Sequence, residues 1–289
     1  MKISGLLNKT GKPLILDGAI GSLLQSKVKE DNPLWSSLAN IIHPEKVITL
    51  HKEYINAGAD MITTNTFRTN YSAYKKSNLK IGYEEFVSRS VGPAIQAKGN
   101  KKIIIAGSNA PAEDCYQVER TLSREDLEYN HAKHIELLWE SGVDFILNET
   151  QSHLDEIKII CSFCSGNKIP FAVSLYLNDD LTLLSGEKLK DAVEIILGYA
   201  PLFIGFNCIK DSLLWKIVES MELNFNWGFY LNLGSGAQTS ETIICTVTGN
   251  DYSAIVKKYL KFNPAVIGAC CGSNPSHIQA LRKTIDELY

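Results

Sequence analysis

Phe145-Ile-Leu-Asn-Glu-Thr150 and Phe171-Ala-Val-Ser-Leu-Tyr-Leu177 are two short apolar runs separated by about one helix of sequence. Their β-branched and aromatic residues are typical of buried strands. The residues between the two runs, which include Cys161 and Cys164, follow the apolar spacing of a helix. This segment therefore predicts one strand, one helix and a second strand of an α/β fold.

The same alternation of short β-rich runs and longer helical patterns continues along the chain. Helix starts are marked by Pro44, by Ser123 with Asp126, and by Asn274-Pro275-Ser276. The predicted strands are Leu14–Ala19, Met61–Thr66, Ile103–Asn109, Phe145–Thr150, Phe171–Leu177, Phe203–Cys208, Gly228–Asn232 and Ala265–Cys270.

Eight strand-loop-helix units in a chain of 289 residues fit a (β/α)₈ barrel, the TIM barrel. The alternative is an open doubly wound sheet, which usually has five or six strands and a glycine-rich phosphate turn after the first strand. Asp17-Gly-Ala-Ile-Gly21 follows the first strand but lacks the three-glycine spacing. We therefore expect one α/β barrel domain over residues 1–289, with residues 1–13 as a short N-terminal cover.

The composition excludes several classes of protein. Apolar residues make up 45% of the chain and charged residues 21%, which is an ordinary globular mixture and excludes disorder and coiled coil. A net charge of −3 disfavours binding to nucleic acid. The sequence has neither a signal-peptide pattern nor an apolar run of the roughly 20 residues that a membrane span needs. We expect a soluble, cytoplasmic protein with no membrane or nucleic-acid partner.

The functional residues are expected where the strands end, because strand C-termini of a barrel converge on one mouth. The polar residues at those ends are Asp17, Asn65, Thr66, Asn109, Glu149, Cys208, Asn232, Cys270 and Cys271. Three thiolates at one mouth suit zinc and leave a fourth tetrahedral position open, which is typical of catalytic zinc. The alternative is that these cysteines are simply buried small residues.

Adjacent Cys270 and Cys271 cannot both reach one metal from a regular strand, because consecutive side chains point to opposite faces. The strand must therefore break there, and Gly272 can adopt the turn conformation that a break requires. The four other cysteines do not fall at strand ends. Two of them, Cys161 and Cys164, have CxxC spacing on a helix without a second such pair, so a structural role is favoured for both. A structural role is also favoured for His131 and His134, because their spacing lacks the HExxH pattern.

Six motifs resemble those of the homocysteine S-methyltransferase family, in the same order and over essentially the whole chain. They are Leu16-Asp-Gly-Ala-Ile-Gly21, Thr64-Asn-Thr-Phe67, Gly107-Ser-Asn-Ala-Pro111, Asn148-Glu-Thr150, Gly205-Phe-Asn-Cys208 and Gly268-Ala-Cys-Cys-Gly272. The resemblance implies a (β/α)₈ barrel whose zinc ligands, and hence catalytic residues, are Cys208, Cys270 and Cys271. The segment after Ser108 and the alanine at position 269 depart from the commoner family pattern.

The same resemblance assigns substrate-binding residues. Asp17 and Glu149 resemble the family's carboxylates for the homocysteine ammonium, and the backbone N–H groups of Gly18 and Ala19 resemble its carboxylate cradle. Asn232 resembles a family asparagine near the open zinc position, and Asn65 belongs to the same predicted mouth. The segment around Trp35 resembles the branch that uses S-methylmethionine, whose sulfonium could rest on the indole ring by cation–π attraction.

These assignments predict a zinc-dependent methyltransferase that makes methionine from homocysteine. The expected methyl donor is S-methylmethionine or S-adenosylmethionine. Two alternatives stay open at this point. The chain could be the homocysteine-binding half of a corrinoid- or folate-dependent system that needs a methyl-carrier partner protein, or it could be a non-catalytic zinc-binding barrel.

Overall fold

Eight parallel strands form a closed barrel in the computed structural model, which describes residues 4–7, 11–25, 33–235 and 243–289. The barrel strands, numbered here in chain order, are β1 (Leu14–Ile15), β2 (Met61–Thr63), β3 (Ile104–Asn109), β4 (Phe145–Gln151), β5 (Phe171–Leu175), β6 (Ile204–Asn207), β7 (Trp227–Leu231) and β8 (Val266–Ala269). Each strand pairs with the next, β8 pairs with β1, and a bridge between Leu16 and Met61 closes the ring. The predicted (β/α)₈ barrel is confirmed.

Helices occupy most of the segments between strands and surround the barrel. Their bounds are α1 (Ser4–Leu7), α2 (Gly21–Gln25), α3 (Ala39–Ile42), α4 (Pro44–Asn56), α5 (Tyr71–Lys76), α6 (Tyr83–Lys98), α7 (Arg124–Glu140), α8 (Leu154–Gly166), α9 (Leu189–Leu197), α10 (Asp211–Ser220), α11 (Gly249–Lys257) and α12 (Pro275–Leu288). Short 3₁₀ helices cover Trp35–Leu38 and Leu260–Phe262. A small antiparallel hairpin joins Gly234–Ser235 to Ile244–Cys245.

The helix starts follow from capping chemistry. The Ser123 hydroxyl accepts a hydrogen bond from Asp126 N (3.1 Å), and the Asn274 side chain accepts one from Ser276 N (3.0 Å). Each side chain satisfies a backbone donor that has no partner inside its own helix. Pro44 is the first residue of α4, where its missing N–H costs nothing. All three predicted helix starts are confirmed.

Alternate residues of the strands form two packed layers. Phe145 and Leu147 belong to the layer inside the barrel, whereas Ile146 packs in the layer between the sheet and the helices. Both layers are almost fully buried, because a parallel barrel is covered by side chains on its inner face and by helices on its outer face. Burial on both faces explains why the strands appear in the sequence as continuous apolar runs.

Several strands end earlier than the sequence predicts. The first ladder stops at Ile15 rather than Ala19, β2 stops at Thr63 rather than Thr66, and β8 stops at Ala269 rather than Cys270. At Thr63, the last residue of β2, the backbone N–H donates to the Asp17 carboxylate (2.9 Å). Polar side chains at the mouth therefore take over backbone groups that a longer ladder would have used.

The N-terminal segment contacts the barrel through Leu7. Within the predicted N-terminal cover, Leu7 packs against the layer inside the barrel, and residues 1–3 and 8–10 lie outside the described residues.

No helix in the described ranges combines the length and the apolar character that crossing a membrane requires.

Candidate functional site

Three cysteines from two strand ends meet at the mouth of the barrel. The Sγ atoms of Cys208, Cys270 and Cys271 all lie within 4.8 Å of one another. The Sγ of Cys271 is 3.8 Å from that of Cys208 and 4.0 Å from that of Cys270. Two sulfurs bound to one zinc at about 2.3 Å with tetrahedral angles lie about 3.8 Å apart, so the cluster fits a zinc ion that keeps one position open.

The backbone turns sharply at both cysteine segments. Cys208 follows β6 with a positive φ of 57°, an uncommon conformation for a residue with a side chain. After β8 ends at Ala269, Gly272 has a φ of 83°, and a Cβ there would lie only 2.7 Å from Gly234 N. The predicted break after the strand is confirmed, and it lets consecutive cysteines face the same point.

The thiol of Cys271 is the most acidic of the three. Its pKa lies well below the ordinary cysteine value because the thiols of Cys208 and Cys270 both donate hydrogen bonds to its sulfur. These two hydrogen bonds favour the thiolate form of Cys271, which is the form that binds a metal.

Asp17 lies at the buried side of the same mouth. Thr63 holds this carboxylate with its backbone N–H at 2.9 Å and its hydroxyl at 3.0 Å. Burial raises the pKa of Asp17 well above its usual value, the hydrogen bonds from Thr63 lower it, and the negative charge of Glu149 raises it further. A positively charged ligand would relieve this cost, so the pair suits an ammonium group.

Glu149 shares the mouth with Asp17. Its carboxylate accepts hydrogen bonds from the Ser108 hydroxyl and from Tyr230 Oη (3.4 Å). Burial raises the pKa of Glu149 to about 7, against the hydrogen bond from Ser108, and the charge of Cys271 adds to the increase. Glu149 therefore lies within electrostatic range of the cysteine cluster.

Tyr116 also contacts the cluster, and it was not among the residues predicted for the site. Its hydroxyl lies 3.0 Å from Cys208 Sγ, and its ring packs edge-on against Tyr176 at a centroid distance of 5.0 Å. Tyr116 lies in the segment between β3 and α7, which has no periodic pattern. Only its position near Asn109, a predicted strand end, could have directed attention to it.

A buried polar network anchors the segment that carries Tyr116. Glu156 of α8 accepts hydrogen bonds from Ala112 N (2.8 Å) and from His131 Nε2 (2.7 Å) and lies 3.6 Å from Arg120 Nη1. Burial acts to raise the pKa of Glu156, but the contacts with His131, Ala112 N and Arg120 together outweigh it, so the pKa lies below its usual value. The segment is thus fixed to α7 and α8 by charged contacts shielded from water.

A cavity of about 560 Å³ extends outward from the cysteines. Trp35 and Phe67 line it as an edge-to-face pair with ring centroids 6.4 Å apart. Gly21 leaves room for the indole, because a Cβ there would lie 2.2 Å from the Trp35 ring. Arg68, a partly exposed residue, also lines the cavity, and its Cζ lies 5.5 Å from the centroid of Phe67.

The other predicted substrate-binding residues differ in what their polar groups contact. Gly18, Ala19 and Asn65 line the cavity, but Ala19 N already donates to Ser273 Oγ (2.9 Å). The Asn65 amide donates to Ser36 O (3.0 Å) and so holds the turn that carries Trp35. Asn232 is not among the residues that line the cavity, and its Oδ1 accepts from Gly234 N (2.8 Å).

The residues for which structural roles were favoured lie away from the cysteine cluster. Cys161 and Cys164 are buried in α8, where burial raises the pKa of Cys164 to about 12. His131 and His134 are buried on α7 and bonded to Asn109, and burial lowers the pKa of His134 to about 3. These contacts are those of a packed interior.

The comparisons with known proteins agree with this geometry. The sequence profile described as homocysteine S-methyltransferase matches residues 14–285. This chain belongs to that family. The prediction made from the six motifs is confirmed, and with it the prediction that the chain is an S-methyltransferase.

The similarity to known proteins extends over nearly the whole of each chain. A betaine-homocysteine S-methyltransferase of Drosophila melanogaster is 26% identical over 100% of this chain and 99% of its own. A selenocysteine Se-methyltransferase of Brassica oleracea var. italica is 24% identical over 97% and 91%. The metallated form of the homocysteine methyltransferase MmuM of Escherichia coli superposes with a TM-score of 0.81 at 23% identity, covering 98% of this chain and 99% of that one.

Proposed function

We propose that this chain transfers a methyl group from a sulfonium donor, S-methylmethionine or S-adenosylmethionine, to the thiol of homocysteine and so forms methionine. Zinc would be held by Cys208, Cys270 and Cys271. The observation that carries the proposal is the cluster of three sulfurs with zinc-like spacing at the inner end of the cavity. Membership of the family supports homocysteine as the acceptor.

The reaction needs a thiolate. A free thiol with a pKa of about 8.5 is only a few per cent ionised at pH 7, which is a handicap of about 2 kcal/mol. Bound zinc supplies the chemistry that removes this handicap, since it keeps a coordinated sulfur deprotonated. The thiolate sulfur forms a bond to the donor's methyl carbon, the carbon–sulfur bond of the sulfonium breaks with its electron pair on the donor sulfur, and the thiol proton leaves to solvent.

The residues of the mouth position the acceptor. Asp17 and Glu149 would bind the ammonium of homocysteine, since both carboxylates are held at the mouth by neutral donors. Because Ser273 occupies Ala19 N–H, Gly18 N–H is the remaining proposed donor to the substrate carboxylate. Fixing both charged groups of the α-carbon would direct the thiol, at the other end of the molecule, toward the cysteine cluster and lower the entropy cost of the reaction.

The aromatic pair would hold the reactive end of the donor. A sulfonium near Trp35 and Phe67 gains cation–π attraction of about 0.5–2 kcal/mol, and this attraction is lost once the methyl group has left and the sulfur is neutral. The neutral product is therefore bound more weakly than the donor. Asn65 contributes by holding the turn that carries Trp35.

The test is a donor panel with the purified protein alone. Homocysteine is mixed with S-methylmethionine or S-adenosylmethionine carrying a deuterated methyl group, and labelled methionine is measured by mass spectrometry. We expect labelled methionine and one zinc per chain. Cys208→Ala should abolish both, whereas Cys161→Ala, which removes a buried cysteine of α8, should retain both.

Other results would favour the alternatives. Methionine that forms only after a methylated corrinoid protein or a methylfolate-loaded partner is added would replace the proposal with the partner-dependent system. Bound zinc without labelled methionine under any of these conditions would overturn the proposed activity.

A further inference from the structure

We propose that Arg68 and Asp114 form a subsite for the α-amino acid end of the methyl donor. The inference rests on the proposed function and extends it, because it says how the donor is recognised away from its reactive methyl group. In this arrangement Arg68 binds the donor's carboxylate, Asp114 binds its ammonium, and the sulfonium reaches the Trp35–Phe67 pair.

The charges that line the cavity point to this pair. Arg68 and Lys76 are the cations among the described residues that line it. The Lys76 side chain is exposed on α5, whereas the side chain of Arg68 is only 19% exposed and its Cζ lies 5.5 Å from the Phe67 ring centroid. A partly shielded guanidinium beside an aromatic ring is well suited to a planar carboxylate, which it can bind through two parallel N–H groups.

Arg68 is fixed in place but keeps donors for a ligand. Its Nη1 donates to Glu113 O (2.7 Å), and its backbone N–H donates to the Ser37 hydroxyl (3.3 Å). A guanidinium has five N–H donors, so this one side-chain hydrogen bond leaves most of them for other acceptors. The contact to Glu113 therefore orients the side chain without consuming its binding capacity.

Asp114 lies beside Arg68, and one of its oxygens, Oδ1, accepts a hydrogen bond from Tyr116 N (2.9 Å). Its Oδ2 lies 4.0 Å from Arg68 Nη2, and its side chain is 49% exposed. An exposed ion pair at this separation contributes little, typically about 0–1 kcal/mol, so a ligand with both charges can replace it. The neighbouring Glu113 is less suitable, because both of its carboxylate oxygens accept hydrogen bonds from Thr121 and Leu122, whereas Asp114 Oδ2 faces Arg68.

The spacing fits a compact amino acid with a sulfonium. The carboxylate and ammonium of an α-amino acid are attached to the same carbon, which matches two opposite charges 4.0 Å apart. The sulfonium of S-methylmethionine is three bonds from that carbon, and the Phe67 ring is 5.5 Å from the Arg68 guanidinium. One donor molecule can therefore contact the charged pair and the aromatic pair together.

Homocysteine is expected to bind elsewhere. Asp17 is buried and Glu149 lies within electrostatic range of Cys271, so the acceptor's ammonium has carboxylate partners close to the cysteines. Arg68 and Asp114, whose side chains are 19% and 49% exposed, are both more accessible than the buried Asp17. Two amino acids can thus enter one cavity, each with its own pair of charges.

The test compares S-methylmethionine with trimethylsulfonium, a sulfonium without an amino acid. Arg68→Gln should raise the KM for S-methylmethionine roughly 10- to 100-fold, because a charge-assisted bidentate contact is lost. Its KM for homocysteine and its turnover of trimethylsulfonium should stay within about twofold of the wild type. Arg68→Lys should lie between the two, and Asp114→Asn should raise the donor KM roughly two- to fivefold.

Lys76→Gln is the matched control, because it removes the other cavity-lining cation, and it should change the donor KM less than about twofold. Calorimetric titration with S-methylmethionine in the absence of homocysteine measures the same loss without turnover, and thermal melting verifies that each variant folds. An equal effect of Lys76→Gln, a rise in the KM for homocysteine instead, or an equal loss with trimethylsulfonium would overturn the subsite. Absence of methionine from the wild type with every donor would refute the proposed function, and the calorimetric comparison would still decide the role of Arg68.

Discussion

Glu149 links the chemistry of the mouth to pH. Burial raises the pKa of this carboxyl to about 7, and only its ionised form can bind an ammonium. As the pH falls through 7 the ionised fraction decreases, so the KM for homocysteine should rise roughly five- to tenfold between pH 8 and pH 6. Steady-state kinetics at saturating donor measure this change. The donor KM should stay flat over the same range.

The matched variant is Glu149→Gln, which cannot ionise. We expect its KM for homocysteine to be high at every pH and to show no inflection near 7. A wild-type profile that is flat from pH 6 to pH 8 would contradict the role of Glu149, as would a Glu149→Gln profile that keeps the inflection.

Tyr116 is a second residue whose effect can be isolated. Replacing it with phenylalanine removes the hydroxyl 3.0 Å from Cys208 Sγ and keeps the ring contact to Tyr176. Hydrogen bonds to metal ligands from outside the coordination shell are typically worth 10- to 100-fold in metal affinity, so zinc should be lost to a competing chelator at roughly tenfold lower chelator concentration. Tyr129→Phe, at an exposed position of α7, is the control. Equal zinc retention by both variants would show that the hydroxyl has no such role.

The end of β8 is the element on which the cysteine geometry depends most. Gly272 combines a φ of 83° with a close approach to Gly234, so Gly272→Ala adds both backbone strain and a steric clash. We expect a loss of about 1–3 kcal/mol in the free energy of unfolding, measured with urea, together with weaker zinc binding. Gly166→Ala is a suitable control, because no atom lies within 4 Å of the added Cβ. An unchanged zinc affinity of Gly272→Ala would mean that the turn can relax without moving the cysteines.

The segment between β3 and α7 depends on α8 through Glu156. Removing one partner of a buried charge pair costs about 3–5 kcal/mol, because the remaining charge is left without compensation. Glu156→Ala should therefore destabilise the protein by about that amount in urea denaturation. Asp155→Asn removes the exposed neighbour that also contacts Arg120, and it should change stability by less than about 1 kcal/mol. Similar losses in the two variants would contradict the importance of burial.

Helix starts and strand ends depend on different ranges of sequence. Helix starts could be predicted because capping is local, as at Ser123 and Asn274. Strand ends could not be placed exactly, because at the mouth a backbone group can bond a side chain from a distant segment, as Thr63 N does with Asp17. Capping needs only a few neighbouring residues, whereas the mouth is assembled from segments far apart in the chain.

For the whole molecule, the closed barrel explains which site residues could be predicted from the sequence and which could not. Cys208 could be placed beside Cys270 and Cys271, more than 60 residues away, because all strands of the barrel run in one direction and end at one mouth. The same rule could not predict Tyr116, Arg68 or Asp114, because these residues lie beyond the strand ends in connecting segments. Side chains of such segments are placed by tertiary contacts, such as the hydrogen bond from Arg68 to Glu113 O, that leave no periodic signal in the sequence.

Zinc should also stabilise the whole barrel. The three proposed ligands lie at the end of β6 and the end of β8, so zinc is expected to bind the folded chain much more tightly than the unfolded one. At a free zinc concentration about 100 times the Kd, this linkage stabilises the folded state by about 2.7 kcal/mol, which corresponds to roughly 5–10 °C in Tm. A chelator should therefore lower the Tm of the wild type in a thermal melt and leave that of Cys208→Ala unchanged. If elemental analysis shows that zinc has been removed while the Tm stays constant, the three cysteines do not bind the metal as a link between these two strands.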